Sequence, residues 1–239
     1  MTDRRTGYDR VILKISGESL AGEDGQPFDP RALDRLIARI REGLAGGAGL
    51  GIVCGGGNII RGRLAGSALL DRTTADGMGM LATVINSLAI RDGLERSGIP
   101  ARLFSSVPAG VLAEPYSPRS ARAALDRGEV AVLSGGTGNP YVSTDTAAVL
   151  RACDLGAGAV LKATTVDGIY SADPKTDPSA RRLDRVSYAR ALAEDLRIMD
   201  GPAIALAREN RIAVIVFDFR EKDAIRRAVA GETVGTILN

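Results

Sequence analysis

Histidine is absent from this chain of 239 residues. That removes every serine or cysteine triad with an imidazole base, every histidine-ligated metal site and every imidazole pH switch. Cysteine is nearly absent. Cys54 and Cys153 form no CxxC pair and have no third thiol beside them, so two reduced thiols are expected rather than a disulfide framework or a structural zinc. Charge of one sign is lacking too: 31 basic and 29 acidic residues leave +2, too little for a chain that wraps nucleic acid, so the expected partner is small. No uncharged apolar run reaches 18 residues, and the polar tail 1–9 has no apolar segment. Neither a signal peptide nor a membrane span is expected, and the chain reads as cytoplasmic. Lysine is the last scarcity. Among the basic residues only Lys14, Lys162, Lys175 and Lys222 are lysines, so a lysine inside an apolar segment asks for a specific reason.

What is present is an ordinary globular balance, 45% apolar and 25% charged, in a length suited to one domain over 10–239. Apolar runs of strand length recur at Arg10 to Ile15, Leu50 to Cys54, Ala101 to Phe104, Val130 to Leu133, Ala159 to Leu161 and Ala213 to Phe217. Helical stretches separate them, the alternation of a mostly parallel sheet covered on both faces. Over Arg31 to Leu44, the residues Leu33, Leu36, Ile37, Ile40 and Leu44 recur at helical spacing after an Asp29-Pro30 start signal. Met78 to Leu94 reads as a longer helix buried on more than one side. Shorter helices fit Ser117 to Arg127, Thr144 to Leu155, Tyr188 to Leu196, Gly201 to Glu209 and Glu221 to Ala230. Two Asp-Pro pairs make Asp173 to Asp184 the expected mobile loop.

Three strands run into glycine loops: Ser16-Gly17-Glu18-Ser19, Gly55-Gly56-Gly57-Asn58 and Gly135-Gly136-Thr137-Gly138-Asn139-Pro140. In an open parallel sheet such loops share the carboxyl edge, where backbone N–H groups and the helix expected after each loop can cradle an anion. The alternative is three tight turns kept for geometry. No GxxxxGK[ST] motif occurs, nor a GxGxxG opening a helix, which counts against P-loop and dinucleotide enzymes. Lys14 lies within an apolar strand and Lys162 ends another. Each could be an edge-strand solubility lysine, but near anion sites the pair suggests clamps for a transferring phosphoryl group. Asp145 could cap its helix, hold both ammonium groups, or do both. Asp200 could cap another helix. Asp76 could cap the long helix or accept from ribose hydroxyls. Arg61 suits either phosphate or solvent.

The segments Val11 to Ser19, Gly55 to Gly62, Asp76 to Arg91, Ser134 to Ala148 and Leu161 to Lys175 together resemble the bacterial uridylate (UMP) kinases of the amino-acid-kinase family. The resemblance runs from Tyr8 to Leu238. It implies a single-domain three-layer α/β/α sandwich that transfers the ATP γ-phosphoryl group to UMP, giving ADP and UDP in pyrimidine nucleotide synthesis. Carried over by position, it implies that Lys14, Ile15, Ser16, Gly17, Gly57 and Arg61 touch the ATP phosphates, with Thr164, Tyr170 and Asp173 at the adenosine end. Tyr170 could equally be a packed strand-end aromatic. UMP would meet Gly56, Asp76, Thr137, Gly138, Asn139, Pro140, Tyr141, Val142, Ser143 and Thr144. Lys14 and Lys162 would stabilise the transferring group, Asp145 would orient them, and Arg61 and Asp200 would organise the phosphates. Mg²⁺ would arrive with ATP, with no dedicated protein cage.

Many members of that family are hexamers activated by GTP and inhibited by UTP. At the positions aligned with the GTP site this chain carries Glu95 and Glu129 beside Arg102, with Pro118 where the family can carry an aromatic; acidic side chains are poor phosphate partners, which makes GTP activation doubtful. UTP inhibition, which needs only the acceptor pocket, is expected, as is a homohexamer. The competing readings are a sibling small-molecule kinase, or a non-catalytic nucleotide or oxoanion binder on the same fold.

Overall fold

The computed structural model describes residues 7–60, 70–172, 176–177, 179–194, 196 and 198–239. Arg61 and Asp173 lie outside the described residues, as does part of the loop expected to be mobile.

Among the described residues the strands are β1 (Arg10–Ile15), β2 (Gly49–Cys54), β3 (Ala101–Ser105), β4 (Glu114–Pro115), β5 (Val130–Ser134), β6 (Ala159–Thr164), β7 (Ile169–Tyr170), β8 (Arg182–Leu183), β9 (Arg185–Val186), β10 (Ala213–Asp218) and β11 (Thr236–Leu238). The helices are α1 (Pro30–Leu44), α2 (Arg72–Arg96), α3 (Pro118–Asp126), α4 (Thr144–Leu155), α5 (Tyr188–Ala193), α6 (Gly201–Asn210) and α7 (Ala224–Val229). Nine strands form one sheet in the order β4-β3-β5-β2-β1-β6-β10-β11-β9, parallel except where β11 meets β10. β7 and β8 make a separate antiparallel pair, β7 just before Asp173 and β8 near the end of the Asp173 to Asp184 stretch.

Strand alternation divides the core. Val11, Leu13 and Ile15 of β1 pack with α1, α2 and α7 on one face, while Ile12 packs with α3, α4, α5 and α6 on the other. The long apolar strands are thus covered twice, as the continuous apolar runs require. α1 starts where its signal predicts: the Asp29 side chain accepts from the Arg31 N–H, and Pro30 occupies the first turn.

α2 departs most from expectation. It begins six residues earlier, capped by Asp71 rather than Asp76, so Asp76 lies inside the helix. Its burial is also partly inverted, with Leu81 and Ile85 exposed while Thr83, Asn86 and Ser87 are buried. The short strands β4, β7, β8, β9 and β11 carry too few residues for a period of two to register in sequence.

Candidate active site

β1 lies at the centre of the sheet, between β2 and β6, so Lys14 is no edge-strand lysine. Parallel pairing sets Lys14 directly beside Lys162 of β6. Both share the sheet face of Ile12 and Val160, the face on which α4 packs. Ser143 caps α4 by accepting from the N–H groups of Asp145 and Thr146, which leaves the Asp145 carboxylate free of capping duty. It takes one ammonium on each oxygen: Lys14 Nζ at 2.8 Å from Oδ1 and Lys162 Nζ at 2.6 Å from Oδ2. Lys162 also donates to the carbonyl of Ile198.

The electrostatics follow from this geometry. Burial pushes the Asp145 carboxyl upward, but the ammonium groups of Lys14 and Lys162 outweigh it and hold the group below the usual carboxylate range. Burial pushes Lys162 below its ordinary value, opposed by Asp145 and reinforced by Lys14. Cys54, close to Lys14, is pushed up to about 12 by burial, so its thiol adds no negative charge. Asp200 stands at the start of α6 without making a side-chain cap. Its Oδ2 instead accepts from Thr146 Oγ1 at 2.8 Å, and its Oδ1 is buried without a hydrogen-bond partner.

The three glycine loops leave the carboxyl ends of β1, β2 and β5, which stand side by side. The Ser16 loop enters a short 3₁₀ turn, Gly17–Leu20, and the Gly135 loop leads to α4. The Gly55 loop is followed by turns through Ile60, and α2 starts only at Arg72, so the expectation that a helix follows each loop directly fails there. A Cβ at Gly17 would collide with the Gly55 carbonyl oxygen at 2.6 Å and with the Asn58 side chain. Gly135, Gly136 and Gly138 take left-handed backbone, with φ between 58° and 82°.

Two cavities flank these loops. One, of about 360 Å³, is lined by Gly56, Gly57, Asp76, Thr83, Gly136 and Asn139, with Val142, Ser143 and Thr144 closing it. It gathers much of the expected acceptor set, and Gly57 with it. The other, of about 1020 Å³, is lined by Lys14, Ser16, Lys162 and Thr164 together with α1 side chains such as Arg35 and Arg39. Ile15 is buried in the core, and Gly17 packs under the Gly55 loop rather than lining this cavity. Thr137, Gly138, Pro140 and Tyr141, also expected to meet the acceptor, lie in the loop before α4 but not in the cavity wall. Tyr141 holds φ 67°, unusual for a residue with a side chain, and donates its N–H to Asp76 at 2.7 Å. Asp76 therefore ties α2 to the acceptor loop. Tyr170 donates to Asp167 at 2.9 Å and lies outside the walls of both cavities.

Sequence reasoning missed several groups that shape the site. Arg151, almost fully buried, donates to Asp154 at 2.8 Å, to Ser106 at 2.7 Å and to the Gly136 carbonyl at 3.1 Å, and stacks on Tyr116. Thr83 and Asn86 were hidden in an apolar stretch. Their signal was available in principle: polar residues on a helix whose neighbours Met80, Val84 and Ile90 are apolar.

Comparison with known proteins gives the same frame. The amino acid kinase family matches residues 9–218. A uridylate kinase of Azorhizobium caulinodans is 47% identical over 232 residues, 97% of this chain and 98% of that protein. A uridylate kinase of Legionella pneumophila is 47% identical over 231 residues, 97% of this chain and 94% of that one. Among solved structures, the UMP kinase of Bacillus anthracis superposes with a TM-score of 0.94 at 37% identity, covering 98% of this chain and 96% of that chain. The UMP kinase of Ureaplasma parvum gives 0.90 at 32% identity, covering 97% and 98%. With its parallel sheet, its paired lysines and this likeness along nearly its whole length, the chain belongs to the amino acid kinase family.

Proposed function

We propose that the protein is a uridylate kinase, passing the γ-phosphoryl group of ATP to UMP and releasing ADP and UDP for pyrimidine nucleotide synthesis. The observation that carries this is the Lys14, Asp145 and Lys162 cluster, whose two lysines line the larger cavity and whose aspartate follows Thr144 in the wall of the smaller one. The larger cavity takes ATP, and the smaller takes UMP.

The phosphate of UMP has a second pKa of about 6, so at neutral pH it is already a dianionic nucleophile and needs no general base. That chemistry suits a chain without histidine. The remaining work is alignment and neutralisation of the charge spread over the transferring group. Lys14 and Lys162 supply fixed positive charge, and Asp145 prevents either ammonium from swinging away. The backbone N–H groups of the Ser16 to Gly17 and Gly55 to Gly57 loops serve the ATP phosphates, with Arg61 beside them. Thr164, in the wall of the larger cavity, serves the nucleoside, with Tyr170 and Asp173 assigned to that end by the family resemblance alone. On the acceptor side Asp76 and Asn139 meet the ribose and the pyrimidine edge.

The donor set fits a magnesium ion that arrives with ATP. Asp200 offers one buried oxygen with no hydrogen-bond partner, and the Asp145 oxygens are already engaged by lysines. When bound, the ion draws off phosphate charge while keeping several waters. Occupation of the acceptor cavity by UTP provides feedback inhibition. Arg102 is already held by Glu114 through two hydrogen bonds, at 2.9 Å and 2.5 Å, which leaves it less available to an effector phosphate and counts against GTP activation. Exposed Leu81 and Ile85 on α2 support self-association into a homohexamer. No helix among the described residues is long and apolar enough to cross a membrane, and the nucleotide substrates fit a cytoplasmic enzyme.

The test is ADP release by the purified chain with ATP and, in turn, UMP, CMP and dTMP. UMP is expected to be strongly preferred. Activity with CMP and none with UMP would refute the assignment, and the presence of Lys14, Asp145 and Lys162 together already weighs against a storage protein.

A further inference from the structure

α2 buries the polar Thr83, Asn86 and Ser87 while Leu81 and Ile85 face outward, and Thr83 and Asn86 bond to the glycine loops. Thr83 Oγ1 accepts the N–H of Gly135 at 2.8 Å and donates to the Met80 carbonyl within its own helix at 2.6 Å. One turn along the same helix, Asn86 Nδ2 donates to the Gly55 carbonyl at 2.7 Å and to Asn58 Oδ1 at 2.7 Å. Asn58 Nδ2 returns a bond to Asn86 Oδ1 at 3.1 Å and reaches the Pro27 carbonyl at 2.6 Å. Asn86 is completely buried, Thr83 nearly so, and Asn58 is buried beside them. Two side chains of one helix therefore hold the first residue of two different glycine loops, on the adjacent strands β2 and β5.

The Gly55 carbonyl and Asn58 are also what Gly17 packs against. Whatever fixes Asn58 thus fixes the donor loop indirectly. Gly135, for its part, opens the left-handed segment that leads to Asn139 and the acceptor cavity wall. A buried amide N–H must be paired, and Thr83 is the partner that Gly135 has.

Resting on the phosphotransferase reading, we propose that Thr83 and Asn86 are positioning residues that set the acceptor loop and the donor loops from a single helix face. Thr83 acts through Gly135 on acceptor binding. Asn86 acts through Gly55, Asn58 and Gly17 on the alignment of the transferred phosphate. Thr83 borders the acceptor cavity, but its hydroxyl is engaged by Gly135 and Met80, and Asn86 is fully buried, so both act through the loops and their effects divide between kinetic constants rather than abolishing activity. A displacement of about 1 Å at the reacting atoms is enough for changes of roughly 10- to 100-fold.

The experiment compares steady-state constants of the full chain with Thr83→Val, Thr83→Ser, Thr83→Ala and Asn86→Asp, using whichever acceptor the unmodified chain phosphorylates. Failure of the UMP assignment then shows in the unmodified protein, and failure of the positioning role only in the variants. Valine keeps the shape of threonine and loses the hydroxyl, while serine does the reverse. Thr83→Val is expected to raise the acceptor KM about 10-fold with the ATP KM within about twofold, and Thr83→Ser to stay near the parent. Asn86→Asp keeps an acceptor for Asn58 but loses the donor to Gly55, so kcat is expected to fall about 10-fold or more with a smaller change in acceptor KM. A packing role predicts that serine is worse than valine, and that result would overturn the proposal. Equal rises in both KM values for Thr83→Val, or an unchanged kcat for Asn86→Asp, would overturn it too. Should the valine variant not fold, Thr83→Ser against Thr83→Ala isolates the same hydroxyl in a smaller side chain, and equal acceptor KM values there count against the inference.

Discussion

Two kinds of ion pair stand in the same sheet. At its centre Lys14 and Lys162 share Asp145, with all three side chains at most 15% exposed. Toward one edge Arg102 of β3 grips Glu114 of β4 at 2.5 Å, with the two side chains 36% and 45% exposed. Distance does not distinguish them. Surroundings do: an exposed pair exchanges one set of water contacts for another, whereas the central cluster has surrendered its water and still carries a net positive charge. Apolar residues of similar size would fill β1 and β6 at least as stably. An arrangement that stability does not require, set at the carboxyl edge where glycine loops converge, is what the proposed phosphoryl transfer calls for.

Removing a charge from the centre should therefore cost rate far more than stability. Lys14→Ala is expected to lower kcat by about 10²- to 10³-fold, the usual loss when one preorganised charge-stabilising donor is taken from a phosphoryl or oxyanion site. Asp145 keeps Lys162 as a partner in that variant, so the fold is expected to survive, as judged by circular dichroism and thermal melting. Turnover within a factor of two of the parent would erase the distinction between centre and edge.

The pH profile sharpens the same contrast by a smaller amount. In the proposed role Lys162 acts as the ammonium, and burial holds its pKa below 10.5 despite Asp145. The rate should thus fall on the alkaline side below that value, and Lys162→Arg, if active, should carry the limb beyond the measurable range, since guanidinium does not titrate there. Stability runs the other way. Between the folded and unfolded values of Lys162 the unfolded chain binds the proton that the folded chain has lost, so its contribution to folding grows as pH rises through that window. On the acid side the limb should follow the phosphate of UMP, at about 6, and be indifferent to variants of the cluster. Initial rates from pH 5 to 10.5 separate these outcomes, and an alkaline limb unmoved in an active Lys162→Arg enzyme would assign it to another group.

How much of this was legible in sequence depends on whether a feature is local. The alternation of apolar runs, the Asp29-Pro30 start of α1 and the full extent of α4 were readable because each rests on neighbours in the chain. The scarcity of lysine singled out Lys14 and Lys162, but only strand order shows them paired at the centre. Of the two roles open to Asp76, capping falls instead to Asp71, five residues earlier, which offers its side chain to Thr73 and Thr74. Asp200 stands at a helix start without capping it, and its bond to Thr146, which spans 54 positions, is invisible to local pattern. Thr83, Asn86 and Arg151 were passed over because their partners, Gly135, Gly55 and Gly136, belong to other segments. An amphipathic pattern assumes that inward means apolar, and α2 breaks that assumption where it meets the loops.

The smallest effect is expected at the edge. Arg102→Ala, Glu114→Ala and the double variant form a cycle whose coupling energy should be about 0.2–1 kcal/mol, as for other partly exposed pairs. The geometry is bidentate, which favours the upper part of that range. Salt should weaken it further, because both partners remain open to counterions. Urea midpoints at low and high ionic strength measure the coupling, and kcat with saturating ATP and UMP should stay within about twofold of the parent, a change of about 0.4 kcal/mol or less in barrier height. A coupling of 3 kcal/mol or more, of the order expected on breaking a buried pair, would mean that the edge pair is as shielded from water as the central one, and exposure would no longer separate the two.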